Sequence, residues 1–166
     1  MLLYKRYYYI RQKSSNKKGE VQMELYRKKI RELIEQYSQE DNFYKENEEI
    51  IQDTEEKLNV KFPESYRWFL KEYGSGGDGL EVNGCKDILY YHNRFKSSDL
   101  PKAYIIIQHC DEYSYCLDTE EMINNECPVL NWSAFEKGVY LVADNFYEYL
   151  LEEINNAIEN DWWEEG

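Results

Sequence analysis

The chain has 166 residues, of which 42% are hydrophobic and 16% aromatic, with a formal net charge of −13 at pH 7. This length and apolar content suit one folded domain with a real core and exclude a disordered chain. The acidic balance excludes a protein that holds nucleic acid or an anionic membrane by charge, and favours basic protein surfaces as partners. Seventeen tyrosines supply large contact area with a hydroxyl attached, which suits a half-wet core or a recognition surface.

Charge is uneven along the chain. Residues 1–36 carry ten Lys/Arg and four Asp/Glu, a balance of +6, whereas residues 37–166 balance at −19. Residues 1–22 therefore read as a basic N-terminal extension outside the domain. Lys18-Gly19-Glu20 can be encoded by a purine run resembling a ribosome-binding site, so Met23 is the expected biological start. A basic arm for nucleic acid or lipid is the rival reading of the same stretch.

From Met23 to about Tyr37 the spacing of Leu25, Ile30, Leu33, Ile34 and Tyr37 predicts a helix with one apolar face. A second helix is expected from about Glu46 to Leu58, buried through Ile51, Thr54 and Leu58. Glu48, Glu49, Glu55 and Glu56 are assigned to its wet side, although Glu55 also falls at the spacing of the buried set. Pro63 suits the first turn of a third helix, with Tyr66, Phe69, Leu70 and Tyr73 as its stripe and Gly74 as a left-handed stop.

After Gly77 the pattern changes to short strands. Gly79–Gly84 alternates and ends in an Asn-Gly turn, and Asp87–Tyr91 is a second candidate strand, followed by a polar loop over 92–99. Tyr104–Gln108 is apolar and β-branched, hence a buried strand, and Ser114–Asp118 pairs with it through a hairpin at 110–113. Pro128–Trp132 and Val139–Val142 complete the strands. A last helix spans Asn145 to about Asn160, capped by Asp144 or Asn145, with Phe146, Leu150, Ile154, Ala157 and Ile158 inward. The expected fold is α+β: a central, mostly antiparallel sheet packed by N-terminal helices and a C-terminal helix. The domain covers 23–160, and 161–166 form an acidic tail holding Trp162 and Trp163.

Catalytic chemistry is hard to assemble from these residues. His92 and His109 are the sole histidines, and no H-E-x-x-H or zinc spacing includes them. The glycines of Ser75–Gly79 lack the Lys and Ser/Thr of a phosphate loop, and Asp78 would repel a phosphate. Cys85, Cys110, Cys116 and Cys127 contain no C-x-x-C pair and read as reduced, mostly buried thiols of a cytoplasmic protein. No membrane span, cofactor, metal or catalytic residue is expected.

Two ordered blocks carry more information than any spacing. The first runs Ile51-x-x-Thr-Glu-x-x-Leu-x-Val-x-Phe-Pro-x-x-Tyr-x-Trp-Phe-Leu-x-x-Tyr-Gly-x-Gly-Gly77. The second is Tyr115-Cys-Leu-Asp-Thr119 with Glu126-Cys-Pro-Val129. Together they resemble the SUKH superfamily, which holds bacterial immunity proteins and fungal Smi/Knr-type regulators of cell-wall synthesis. The second block looks like the immunity proteins of Gram-positive bacteria.

That resemblance implies a cytosolic binding protein that neutralises a toxin, with a nuclease toxin domain as the cognate partner. An acidic, aromatic surface would cover the basic site such an enzyme needs for phosphates. The candidate partner-binding residues are Asp78 and Glu81 near the glycine turn, Asp111, Glu112 and Tyr113 in the hairpin, then Asp118, Glu120, Glu121, Trp132 and Asp144. The alternative is a regulatory scaffold of the fungal type, binding cellular proteins without a toxin.

Overall fold

A computed structural model describes residues 16–38, 43–77, 79–135 and 138–160. Among these residues it contains five helices and four strands: α1 Asn16–Tyr37, α2 Glu48–Leu58, α3 Glu64–Tyr73, α4 Cys85–Arg94, β1 Tyr104–Cys110, β2 Tyr113–Asp118, β3 Val129–Trp132, β4 Val139–Ala143 and α5 Phe146–Glu159. The strands form one antiparallel meander in the order β1-β2-β3-β4. The α+β expectation holds.

Helix α1 starts at Asn16, ahead of the expected Met23. Ile30, Leu33 and Ile34 are buried as the periodicity requires, but Leu25 is 56% exposed. The inner positions next to it are filled by Tyr26 and Arg27. Tyr26 donates to Glu148 Oε1 at 3.0 Å, and Arg27 Nε donates to the Tyr147 hydroxyl at 2.5 Å. These bonds tie α1 to α5, because long side chains can bury their stems while their tips find partners.

Glu55 corrects the assignment to the wet side of α2. It is 1% exposed. Its carboxylate accepts from Phe62 N–H at 2.7 Å and pairs with Arg67 Nη1 at 2.6 Å, with Lys61 Nζ at 3.5 Å. Thus Glu55 closes the α2–α3 connection, while Asn59 ends α2 in the left-handed conformation at φ 53°. Buried charge persists only where it is paired, and Arg67 also meets Glu48.

Pro63 precedes α3 with extended backbone and supplies no side-chain cap. The cap comes from far along the chain: Glu126 accepts from Ser65 N–H at 2.9 Å and bonds the Ser65 hydroxyl, while Glu64 N–H donates to Asn125 C=O at 2.8 Å. A carboxylate at a helix N-terminus satisfies free N–H groups and meets the positive end of the dipole. The two sequence blocks therefore touch, the second capping the helix of the first. At the other end of α3, Gly74 has φ 64°, and a Cβ there would lie 1.7 Å from Tyr44 C=O. Only glycine fits that crossing.

Two expected strands are absent. Residues 79–84 bury Leu80 and Val82 but form no ladder; Asn83 alone bonds β1, its N–H to Ile107 C=O at 2.7 Å and its Nδ2 to Ile106 C=O at 3.0 Å. Asp87–Tyr91, read as a strand, and the first residues of the polar loop read over 92–99 belong to helix α4, Cys85–Arg94. Asp87-Ile-Leu-Tyr-Tyr91 looks β-like residue by residue, yet Cys85 and Ile88 are buried while Tyr90 is 58% exposed. That is helical spacing, with Gly84 at the N-cap and Arg94 in the last turn.

The first face of the sheet packs on the helices. Leu117, Val129 and Ala143 lie opposite one another across β2, β3 and β4, under Phe146, Leu150 and Ile154 of α5. Tyr66, Phe69, Phe146 and Tyr149 form the ring contacts of this core, at centroid separations of 5.0 to 5.9 Å. The second face holds Tyr104, Ile106, Cys116, Leu130 and Trp132, covered by Tyr91, Phe95 and Leu100. Asn145 caps α5 by accepting from Glu148 N–H at 3.1 Å.

Candidate functional site

Both hairpin tips, β1–β2 and β3–β4, lie at the same end of the sheet, because Ser114 pairs with Trp132 and Trp132 with Val139. Helix α5 runs over the first face toward β1, where Tyr149 meets Gln108 and Tyr115, and leaves the β3–β4 side of the hairpin end uncovered. The uncovered part is a groove of about 810 Å³. Its floor is a cross-strand row, Tyr115–Asn131–Tyr140, with Tyr115 resting on Tyr149 at 5.3 Å. Tyr113 stands edge-on to Tyr115 at 5.4 Å. Tyr140 is 66% and Phe135 80% exposed.

Local geometry holds the rim. Asp111 turns the β1–β2 hairpin with φ 35°, a conformation that Asp tolerates better than most residues. Ser133 Oγ donates to Glu112 C=O at 2.7 Å and accepts from Phe135 N–H at 3.1 Å, joining the two tips. Gly138 lines the groove too; at its φ of 150° a Cβ would press on the Tyr140 hydroxyl at 3.2 Å.

The groove is acidic. Asp111 and Glu112 are exposed on its rim. Burial pushes the Cys110 thiol up, and although a hydrogen bond to Tyr113 opposes this, the carboxylates of Glu81, Glu153 and Asp111 add to it. Glu153 itself is raised, by burial first and then by Glu152 and Glu81, against hydrogen bonds to Asn156 and Gln108. Sequence reasoning missed Glu153, Tyr115, Phe135 and Tyr140. The last two stand beside strand ends, where a sequence shows polarity but not which face is left uncovered.

The other candidate residues separate. Glu81, Asp111, Glu112 and Tyr113 come together at the hairpin end. Asp118, Glu120, Glu121 and Asp144 lie at the far end of the strands, about 17 Å away by the rise of β2. Asp118 is 3% exposed and its side chain accepts from Glu120 N–H at 3.3 Å, capping the 3-10 turn Thr119–Glu121. Trp132 is 5% exposed and packs edge-on against Phe95 at 5.4 Å. These two are core residues, so the expectation that they form a contact surface is corrected. Asp78 and the tail at 161–166 lie outside the described residues.

His109 Nδ1 lies 2.9 Å from Ser114 Oγ. A serine and a histidine at that distance could form a nucleophile pair, but Ser114 is fully buried. Burial and Arg94 hold His109 below the ordinary histidine range, against the opposing pull of Asp111. Among the described residues, no group of three His, Cys, Asp or Glu side chains is arranged to hold a metal ion. No helix there is long and apolar enough to cross a membrane.

Fold and groove together define an α+β domain that presents an acidic, aromatic concavity beside a sheet edge, β4, which among the described residues pairs only with β3. Residues 30–155 match the SUKH_5 family, described as SMI1-KNR4 cell-wall, and the chain belongs to that family. It is also 32% identical over 76 residues to the uncharacterized protein YnaB of Bacillus subtilis (strain 168). That match takes in 45% of this chain and 51% of YnaB, so the chain spans about half the length of that relative.

Proposed function

We propose that this chain is a cytoplasmic immunity protein that binds and neutralises a cognate toxin, a nuclease, by covering its basic active surface. The observation that carries this reading is the groove: Asp111 and Glu112 stand on the rim above Tyr113, Tyr115, Phe135 and Tyr140. A nuclease site is basic because it must hold phosphates. Carboxylates steer such a surface in, and desolvated aromatic rings slow its release. Family membership supports a role of the immunity or Smi/Knr-scaffold type, and the concentration of acid and tyrosine in one groove favours the first of these. The protein binds without transforming a substrate.

Co-expression tests it. A nuclease toxin domain cloned from the same host should arrest growth alone and fail to do so with this chain present. Asp111→Lys with Glu112→Lys should lose protection while the domain stays folded. A wild-type chain that gives no protection ends the immunity reading and leaves the regulatory scaffold.

A further inference from the structure

A sheet has two edges, and here they differ. The outer edge of β1 is engaged by the Asn83 N–H and Nδ2 bonds to Ile107 and Ile106 C=O, with α4 packed alongside. Among the described residues, β4 pairs only with β3. Its sequence, Val139-Tyr-Leu-Val-Ala143, contains neither charge nor proline. Val139 is 38%, Tyr140 66% and Leu141 43% exposed. Soluble proteins ordinarily blunt such an edge with charge, proline or distortion. The register shift near Val142 bends only the far end, so Val139–Leu141 remains regular and open.

We infer that β4 is a docking edge that takes an extended, lysine- or arginine-bearing segment of the partner protein as a fifth strand. The inference rests on the reading of a basic protein partner and specifies how that partner seats. Strand addition draws affinity from backbone hydrogen bonds and specificity from alternate side chains. A segment on β4 would place one row of side chains over the groove, toward Asp111 and Glu112, and the other beside Val139 and Leu141. Charge selects the occupant. A second copy would bring −13 against −13, whereas a basic strand meets opposite charge at the rim.

The probe is a synthetic octapeptide of alternating Lys and Val, with its Glu/Val counterpart and an isomer N-methylated at alternate residues along one edge, prepared for each edge in turn. Amide hydrogen exchange and chemical shifts of the full chain are followed. The Lys/Val peptide should slow exchange at Val139–Leu141, the Glu/Val peptide should bind at least tenfold more weakly, and one N-methylated isomer should lose binding while the other keeps it. Equal binding by both N-methylated isomers, or protection elsewhere, overturns the inference. So does β4 protection before any peptide is added, whether in a monomer that covers its own edge or in a dimer of this chain. Val139→Lys with Leu141→Lys should also abolish protection against the toxin. If that variant still protects, the docking mode fails and the immunity reading stands; if the wild type never protects, the immunity reading fails on its own test.

Discussion

Glu126 shows how one carboxyl can join two distant parts of a chain. Burial pushes its pKa up to about 7, against the bonds from Ser65 that favour the charged form. Its folded value therefore lies above the ordinary carboxylate range, and the folded state binds this proton more tightly than the unfolded one. The stability tied to that proton is present below about pH 4.5 and declines as pH rises through about 7, by up to about 3 kcal/mol. Glu126→Gln, which keeps the shape without the charge, should flatten this dependence and match or exceed the wild type at pH 8. Urea midpoints at pH 5 and pH 8 measure it; a variant weaker than wild type at both would show that the charged cap dominates. Glu55 is paired with Arg67 and bonded by Phe62 N–H. Glu55→Ala leaves both groups without that partner and should cost about 3 kcal/mol, seen as a lower denaturation midpoint with unchanged slope.

At the scale of elements, α4 has the sharpest test. In a strand Ile88 and Tyr90 would share a face, whereas in a helix they lie on opposite sides. Ile88 is 1% exposed and Tyr90 58%. Ile88→Ala should therefore cost about 2–4 kcal/mol, and Tyr90→Ala should stay within about 0.5 kcal/mol. Equal losses in thermal or urea unfolding would contradict the helical assignment. The error in reading 85–94 from sequence has a physical source: aromatic and β-branched residues fit either structure, and packing against β1 decides between them. The same packing lets Tyr91 and Phe95 meet His109, with ring centroids 4.9 and 5.3 Å apart.

For the whole molecule, the decisive property is the distribution of charge. Lys and Arg concentrate in α1 and before it, and residues 37–166 are left with a balance of −19. Association with a basic partner should slow steeply as salt rises, since screening shortens from about 10 Å at 0.1 M to about 3 Å at 1 M. Dissociation should change far less, because the desolvated rings of the groove are insensitive to ions. Stopped-flow or surface-binding rates across that range test it, and a salt-independent association rate would exclude steering. The variant combining Asp111→Lys and Glu112→Lys should lower the same rate while costing about 1 kcal/mol of stability at most, since both residues are exposed and only the positive φ at position 111 adds strain.

Sequence alone was enough for the α+β class, for helices α1, α2, α3 and α5, for all four strands and for the family. Each of these rests on local periodicity, a cap or an ordered motif, which the chain carries wherever it folds. It also singled out the β1–β2 hairpin acids, because a turn flanked by strands must face water. Tertiary structure decided the rest. Only packing could bring Glu126 to the start of α3, bury Glu55 against Arg67, and place Asp118 and Trp132 inside. Only the position of α5 could leave part of a sheet face uncovered and gather Tyr115, Phe135 and Tyr140 into a groove. Burial is a property of pairs of elements, and no single stretch of sequence contains it.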